Sequence, residues 1–239
     1  MKSLHFLVLI LLLVITSCSK FEIPEKEKEK AKLLIEISQI AEQTIEDDNY
    51  EELKVYNDEN PFDFVGEVLA NVTSEAIMSV ENGKTNPDSI IGEFKKKLKQ
   101  NLSSSYYLDT TNIDITEIEI FKILLKTYVN ERYNSFIVKS KLIENSLMNS
   151  CYFNDIQKQR ILTYSSTLRH IASEIKNYSN NTKSQTDETI EECFRKKLAA
   201  FRDCKECFFE KVICIFSFPE CLGIKLLDCV IYVLIQEIF

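Results

Sequence analysis

The cysteines of the C-terminal segment are the side chains with the clearest chemical potential. Six of them follow residue 190, at Cys193, Cys204, Cys207, Cys214, Cys221 and Cys229. The Cys-x-x-Cys spacing of Cys204 and Cys207 occurs in thiol oxidoreductases and in half of a zinc site. Oxidoreductases place such a pair at the start of a helix that follows a strand, whereas this pair falls within a helical pattern. The sequence therefore favours structural disulfides over redox or metal chemistry.

The spacing of the cysteines on either side of Phe218 predicts a helical hairpin closed by disulfides. Cys214 and Cys221 lie almost symmetrically about this position, and so do Cys207 and Cys229. A helix rises about 1.5 Å per residue, so the steps along the two arms match closely enough for both bonds to form in one hairpin. Each bond is expected to stabilise the hairpin by about 2–4 kcal/mol.

Cys151 lies well before this segment and requires a separate interpretation. We expect it to join Cys204 or Cys193. In a competing scheme Cys151 pairs with Cys214, because a chain reversal near Thr182 would bring these two cysteines opposite each other.

Other catalytic chemistry is sparse. After the first 17 residues the only histidine is His170, which lies inside a helical pattern and is expected to be a packed or surface residue, not a general base. The four glycines form neither a phosphate loop nor a dinucleotide fingerprint, and no Gly-x-Ser-x-Gly elbow is present. We therefore expect no catalytic residue, no cofactor and no metal, and the sequence points away from an enzyme.

An acidic stretch between residues 47 and 58 could gather oxygens around calcium. Counted from Asp47, Glu52 takes the place of the loop glycine of an EF-hand, and Asp58 takes the place of its bidentate glutamate. A solvated connection is the favoured interpretation.

The N-terminal segment has the parts of an export signal in the required order. Lys2 is the positive start, residues 4–15 form an apolar run too short for a comfortable membrane span, and Thr16 and Ser17 lead into Cys18. Ile15-Thr16-Ser17-Cys18 resembles the lipobox of bacterial lipoproteins. A plain signal peptide or an anchor helix is the alternative.

The resemblance to bacterial lipoproteins implies that residues 1–17 are a signal peptide and that Cys18 carries fatty-acyl chains such as palmitate. Several acyl chains make membrane attachment durable. Ser19 stands where many lipoproteins retained in the inner membrane carry aspartate, so the resemblance favours the cell outer membrane. It leaves open whether the protein faces the periplasm or the cell surface.

Residues 60–67 are similar to a short segment of some exported proteins of the Bacteroidetes with no settled function. Exported proteins of that group are often O-glycosylated at aspartate followed by serine or threonine and then an aliphatic residue or threonine. Asp109-Thr110-Thr111 and Asp88-Ser89-Ile90 fit this pattern. The resemblance makes Thr110 the first glycosylation candidate and Ser89 the second. The alternatives are that Thr110 lies in a plain loop and that Ser89 only marks the start of a helix.

Composition and apolar periodicity predict an all-α fold. Four glycines, four prolines and no tryptophan favour long helices over many-turned β-structure. Apolar stripes predict helices over 33–45, from Asn60 to Gly83, from Asn86-Pro87 to about 102, over 114–149 and over 154–178. Asn60 and Asn86 are expected to cap the second and third of these helices, and Gly83 to end the second. The alternating Glu-Lys run over 25–30 is interpreted as part of a solvated tether.

The predicted organisation has four parts. Residues 1–17 are the signal peptide, 18–32 the lipidated N-terminus and charged tether, 33–180 a helical bundle, and 186–239 a cysteine-rich helical hairpin packed on it. The last arm of the hairpin, residues 222–239, is very apolar, but Lys225 and Asp228 interrupt it. Since charges are costly inside a bilayer, core packing is expected and not membrane insertion.

Charge disfavours nucleic acid as a partner. Removing residues 1–17 deletes one of 29 basic residues and none of 37 acidic ones, so the formal net charge becomes 28 minus 37, or −9. The lysines at 95, 96, 97 and 99 are expected to form a solvated helix face, with a lipid-headgroup patch as the alternative.

The sequence thus predicts a lipid-anchored cell-envelope protein with a non-catalytic binding or protective role. Its expected partners are the membrane, through the lipid, and another envelope or exported protein. The alternatives are an envelope enzyme that uses carboxylates or a free thiol, and an immunity lipoprotein that neutralises a toxin. A strongly acidic or broad apolar surface would favour partner binding.

Lipidation is tested by Cys18→Ala. Growth of the native host with a labelled fatty acid should label the wild-type chain and leave the variant unlabelled, because the acceptor thiol is gone. Circular dichroism of the variant should remain that of the folded protein. Equal labelling of both chains would disprove acylation at this cysteine.

Overall fold

The computed structural model describes residues 24–45, 54–84, 86–102, 113–181, 189–203 and 218–238. Over these residues the chain forms eight α-helices and no strands, which confirms the all-α prediction. In chain order the helices are α1 (Glu25–Glu42), α2 (Asp63–Glu81), α3 (Pro87–Asn101), α4 (Ile115–Asn130), α5 (Tyr133–Asn149), α6 (Asp155–Asn181), α7 (Ile190–Asp203) and α8 (Phe218–Ile238). A search of the described residues finds no helix with the length and apolarity needed to span a membrane.

Local sequence signals set several helix ends as predicted. The Asn86 side chain accepts a hydrogen bond from the Ser89 backbone N at 3.1 Å, and Pro87 occupies the first turn of α3. Gly83 ends α2 with a φ of 90°, a left-handed conformation that glycine adopts without steric cost.

The start of α2 differs from the prediction, because the helix begins at Asp63 and Asn60 is not its cap. The Asn60 side chain accepts from the Phe62 backbone N at 2.9 Å and donates to the Leu162 carbonyl of α6 at 3.2 Å. Asn60 therefore turns the chain and attaches it to α6.

The segment predicted as a charged tether is helical from Glu25 onward. Glutamate and lysine are good helix formers, and Glu25 and Glu27 lie at the positive end of the helix dipole. Leu33 and Ile37 then bury one side of α1 against the bundle. Tertiary burial thus stabilises a charged segment that has little apolar surface of its own.

The single helix predicted over 114–149 is two helices, because the backbone is extended at Glu131 and Arg132. The Glu131 carboxylate accepts from Ser135 Oγ at 2.8 Å and from Lys139 Nζ at 2.6 Å. These side-chain bonds hold Glu131 just before the first turn of α5, and no side chain of the N-cap residue Arg132 caps that turn.

Helix α6 is the centre of the fold, because every residue from Arg160 to Ala172 is buried. Helices α2, α4, α5, α7 and α8 pack against it, α2 most extensively, whereas α1 packs on α4 and α5 and α3 packs on α2 and α8. A Cβ atom on Gly66 of α2 would lie 2.4 Å from Ser166 Oγ and 2.6 Å from the Ser166 carbonyl oxygen. Glycine is therefore required at this crossing.

The C-terminal helices α7 and α8 pack against each other and on the bundle, as expected for a hairpin. A disulfide joins Cys193 of α7 to Cys229 of α8. Leu222, Leu226 and Val230 are buried, which confirms core packing for this part of the apolar arm.

The predicted Cys207–Cys229 bond is wrong, because the Cys229 sulfur is bonded to Cys193. Cys193 of α7 lies opposite Cys229 of α8, with 5.7 Å between their Cα atoms, so the bond joins the two helices where they pack. Cys193 and Cys229 instead meet within the buried face between the two helices.

Cys151 is a free, exposed thiol, so its predicted bond to Cys204 or Cys193 and the competing bond to Cys214 are all wrong. It lies just after α5, away from the hairpin. Cys221 is disulfide-bonded. The predicted partner of Cys221, Cys214, lies outside the described residues, as do Cys204 and Cys207.

Gly223 of α8 provides a stability test, because a Cβ atom there would lie 2.1 Å from Cζ of the buried Phe94 ring. Gly223→Ala should lower the free energy of unfolding by about 1–3 kcal/mol through overpacking. Gly92→Ala is the matched control, since a Cβ there meets nothing within 4 Å and the helix should gain up to about 1 kcal/mol. Urea unfolding measures both. Equal stabilisation by the two substitutions would contradict the packing of α8 on α3.

Candidate functional site

A buried guanidinium lies at the junction of α2, α5 and α6. Arg169 Nη2 is 3.0 and 3.1 Å from the two carboxylate oxygens of Glu144, and it also donates to the Asp63 carboxylate. Arg169 Nη1 donates to the Val55 carbonyl. Arg169 and Glu144 are both fully buried, so their charges are compensated by each other and by Asp63 and not by water.

Asn57 and His170 complete this buried network. Asn57 Nδ2 donates to Glu144 at 2.6 Å, and the Asn57 backbone N lies 3.2 Å from Asp63 Oδ2. His170 Nε2 is 3.1 Å from the same Asp63 oxygen. Burial would raise the pKa of Asp63, but hydrogen bonding by His170 and the charge of Arg169 outweigh it and lower the pKa from 3.8 to about 2.

The network contains the residue types of a hydrolase triad without its geometry. His170 is buried, with the ring of Tyr56 against it at 5.0 Å between centroids. Ser166, one turn before His170, donates its hydroxyl hydrogen to the Asp63 backbone carbonyl at 2.8 Å and packs on Gly66. A nucleophile needs access to a substrate carbonyl, which this buried hydroxyl lacks. The network is therefore structural.

A second buried ion pair joins α4 to α6. Arg160 binds the Glu117 carboxylate through Nε and Nη2, each at 2.7 Å, and Gln157 Nε2 adds a bond at 3.1 Å. Glu117 also closes a capping box with Asp114 at the start of α4. Sequence analysis did not identify either network.

A groove with a volume of about 990 Å³ lies on the surface between α1 and α5. The charged side chains that line it come from α1 and are Glu29, Lys32, Glu36 and Glu42. Ile40 and Leu142 supply apolar surface, whereas Leu33 is buried. Three carboxylates against one ammonium make the groove acidic.

The α5 side of the groove is polar and uncharged. It includes Asn145, Ser146 and Asn149, and the free thiol of Cys151 lies at the end of this wall. Asn145 Oδ1 is buried and accepts no hydrogen bond from the described residues. No histidine lines the groove, so the thiol lacks the usual base that would activate it.

The lysine face of α3 is largely neutralised by acidic neighbours. Lys97 lies 2.6 Å from Glu75, and Lys95 lies 3.2 Å from Glu220. Such pairing disfavours the alternative of a lipid-headgroup patch.

The remaining sequence-predicted sites are mostly outside the described residues. Cys18 and Thr110 are not described, whereas Ser89 is exposed in the first turn of α3. Of the acidic stretch, Asp58 is described and exposed. No group of three or more histidine, cysteine, aspartate or glutamate side chains in the described part of the chain could hold a metal ion.

Comparisons with protein-family models, curated proteins and solved structures found no match for this chain. The buried network and the groove are the two features with a bearing on function. Of these, the groove is open to a partner, whereas Arg169 and Glu144 are inaccessible.

The structural role of the network predicts a large effect for Arg169→Met. Without the guanidinium, Glu144 and Asp63 would be left as neighbouring buried carboxylates, so the free energy of unfolding should fall by about 3–5 kcal/mol. The double variant Arg169→Met/Glu144→Met should recover part of this loss, because it removes one of the two unpaired charges. Lys97→Met, which breaks an exposed pair, should cost less than about 1 kcal/mol. Urea unfolding at neutral pH is the measurement, and equal effects of Arg169→Met and Lys97→Met would refute the assignment.

Proposed function

We propose that this chain is a lipid-anchored protein of the bacterial cell envelope that binds a helical segment of another envelope or exported protein without catalysis. The observation that supports this role best is the acidic groove between α1 and α5. Clefts between helices that combine an apolar floor with polar walls are typical sites for an additional amphipathic helix.

The dimensions of the groove suit such an occupant. Its α1 wall extends from Glu29 to Gln43. At 1.5 Å per residue this is about 21 Å, or roughly four turns of a bound helix. A short helical segment could therefore lie along the whole wall.

The proposed anchor would keep this groove close to the membrane. Glu25, where α1 begins, lies seven positions after Cys18. Even a fully extended chain of that length spans no more than about 25 Å. A partner at the membrane surface is therefore favoured over a freely diffusing small molecule.

The absence of an activating group near Cys151 supports binding over thiol catalysis. The groove offers carboxylates and amides, but no histidine to take up a proton. Its carboxylates come from one wall, whereas acid–base catalysis by paired carboxylates needs them on both sides of the substrate.

Site-specific crosslinking in the native host tests the proposed role. A photo-crosslinking residue at exposed Asn149 should form an adduct with a partner protein, and Ser146→Trp should abolish that adduct by filling the groove. The same crosslinker at exposed Glu81, outside the groove, is the control. Thermal unfolding of Ser146→Trp should remain a single cooperative transition, with a loss of about 1 kcal/mol from the missing Ser146–Glu36 bond.

Adducts that form equally at Asn149 and Glu81, or that survive Ser146→Trp, would contradict groove-dependent binding.

A further inference from the structure

We infer that the occupant of the α1–α5 groove is a cationic amphipathic helix. This inference rests on the proposed function and specifies the chemistry of the partner. Two features of the lining lead to it: the carboxylates along α1 and the apolar surface beside them.

The carboxylates of α1 recur at nearly regular intervals along the groove. Glu29, Glu36 and Glu42 are seven and six residues apart, so they lie about 9–10 Å from each other along the helix. A bound helix with lysine or arginine every second turn would place a cation opposite each of them. Lys32 is the one basic side chain of the lining and does not cancel the negative charge.

Apolar surface in the groove comes from Ile40 of α1 and Leu142 of α5. Leu142 is 39% exposed, so a partner could cover it further, whereas Leu33 is only 4% exposed and offers no surface to an occupant. An occupant with an apolar face beside its cations would match the carboxylates and this apolar surface together.

Anionic partners are disfavoured by the same carboxylates. A phosphate or an anionic lipid headgroup would meet three of them and be repelled. The occupant is therefore identified by its positive charge and helical amphipathicity, as a segment of another envelope or exported protein.

Peptide binding to the lipidated full-length protein tests the inference. The protein is placed in nanodiscs of zwitterionic lipid, and empty nanodiscs provide the blank. The probe is a fluorescent leucine–lysine peptide of about four helical turns with leucine on one face. Two further peptides, one with glutamate in place of lysine and one with the order scrambled, test charge and amphipathicity separately.

We expect the cationic amphipathic peptide to bind at least about tenfold more tightly than either comparison peptide. Glu29→Gln/Glu36→Gln/Glu42→Gln should lower its affinity by about tenfold, as expected for three partly screened charge pairs. The matched control, Glu59→Gln/Glu81→Gln/Glu119→Gln, changes the net charge equally at exposed positions outside the groove. It should change the affinity by less than about twofold, since distant exposed charges are screened.

The possible failures are distinguishable. Equal losses in both triple variants would show attraction to net charge alone and overturn the inference. Equal binding of the lysine and glutamate peptides, lost in Ser146→Trp, would overturn the cationic partner but leave the proposed function standing. Binding of no peptide, together with a dimer that the groove variant dissociates, would identify a second copy of this chain as the occupant and overturn both.

Discussion

The Arg169 guanidinium is the interaction on which the rest of the bundle depends. It is fully buried and contacts carboxylates that lie 106 residues before it, at Asp63, and 25 residues before it, at Glu144. A buried charge without its partners costs several kcal/mol. A partly assembled bundle in which Arg169 contacts only one of the two carboxylates therefore gains little stability. The segment around Asn57, α2, α5 and α6 must therefore assemble together, and this requirement makes their arrangement specific.

Local features of the fold could be predicted from the sequence, whereas features set by distant partners could not. The Asn86 cap and the glycine end of α2 depend on a few neighbouring residues, and both were predicted. The break at Glu131 depends on Lys139, whose ammonium also binds the Ala41 carbonyl across 98 residues. In the same way, the bond between Cys193 and Cys229 depends on how α7 packs against α8, which the spacing of cysteines does not reveal.

The candidate site was not predicted. A strongly acidic or broad apolar surface was named only as a feature that would favour partner binding, and the position of the groove was hidden because residues 25–32 have the composition of a solvated tether. Composition alone cannot separate a tether from a helix whose stability comes from two buried side chains, Leu33 and Ile37. Because α1 is helical, glutamates of the segment that suggested a tether line one wall of the groove. The seven-residue spacing of Leu33 and Ile40 did indicate a helix with one apolar face.

The two walls of the groove differ in how firmly they are held. Helix α5 carries Glu144 of the buried network on one side and Asn145 and Ser146 on the groove side, so its position is fixed by Arg169. Helix α1 is held by a few apolar side chains, by Lys139 at its last turn and by the Ser146–Glu36 bond of 2.6 Å. The carboxylates lie on α1, which is held less firmly than α5. A cationic occupant of the groove would therefore contact both helices and link α1 to α5. Binding would then stabilise α1 itself, as any ligand selective for the folded state does.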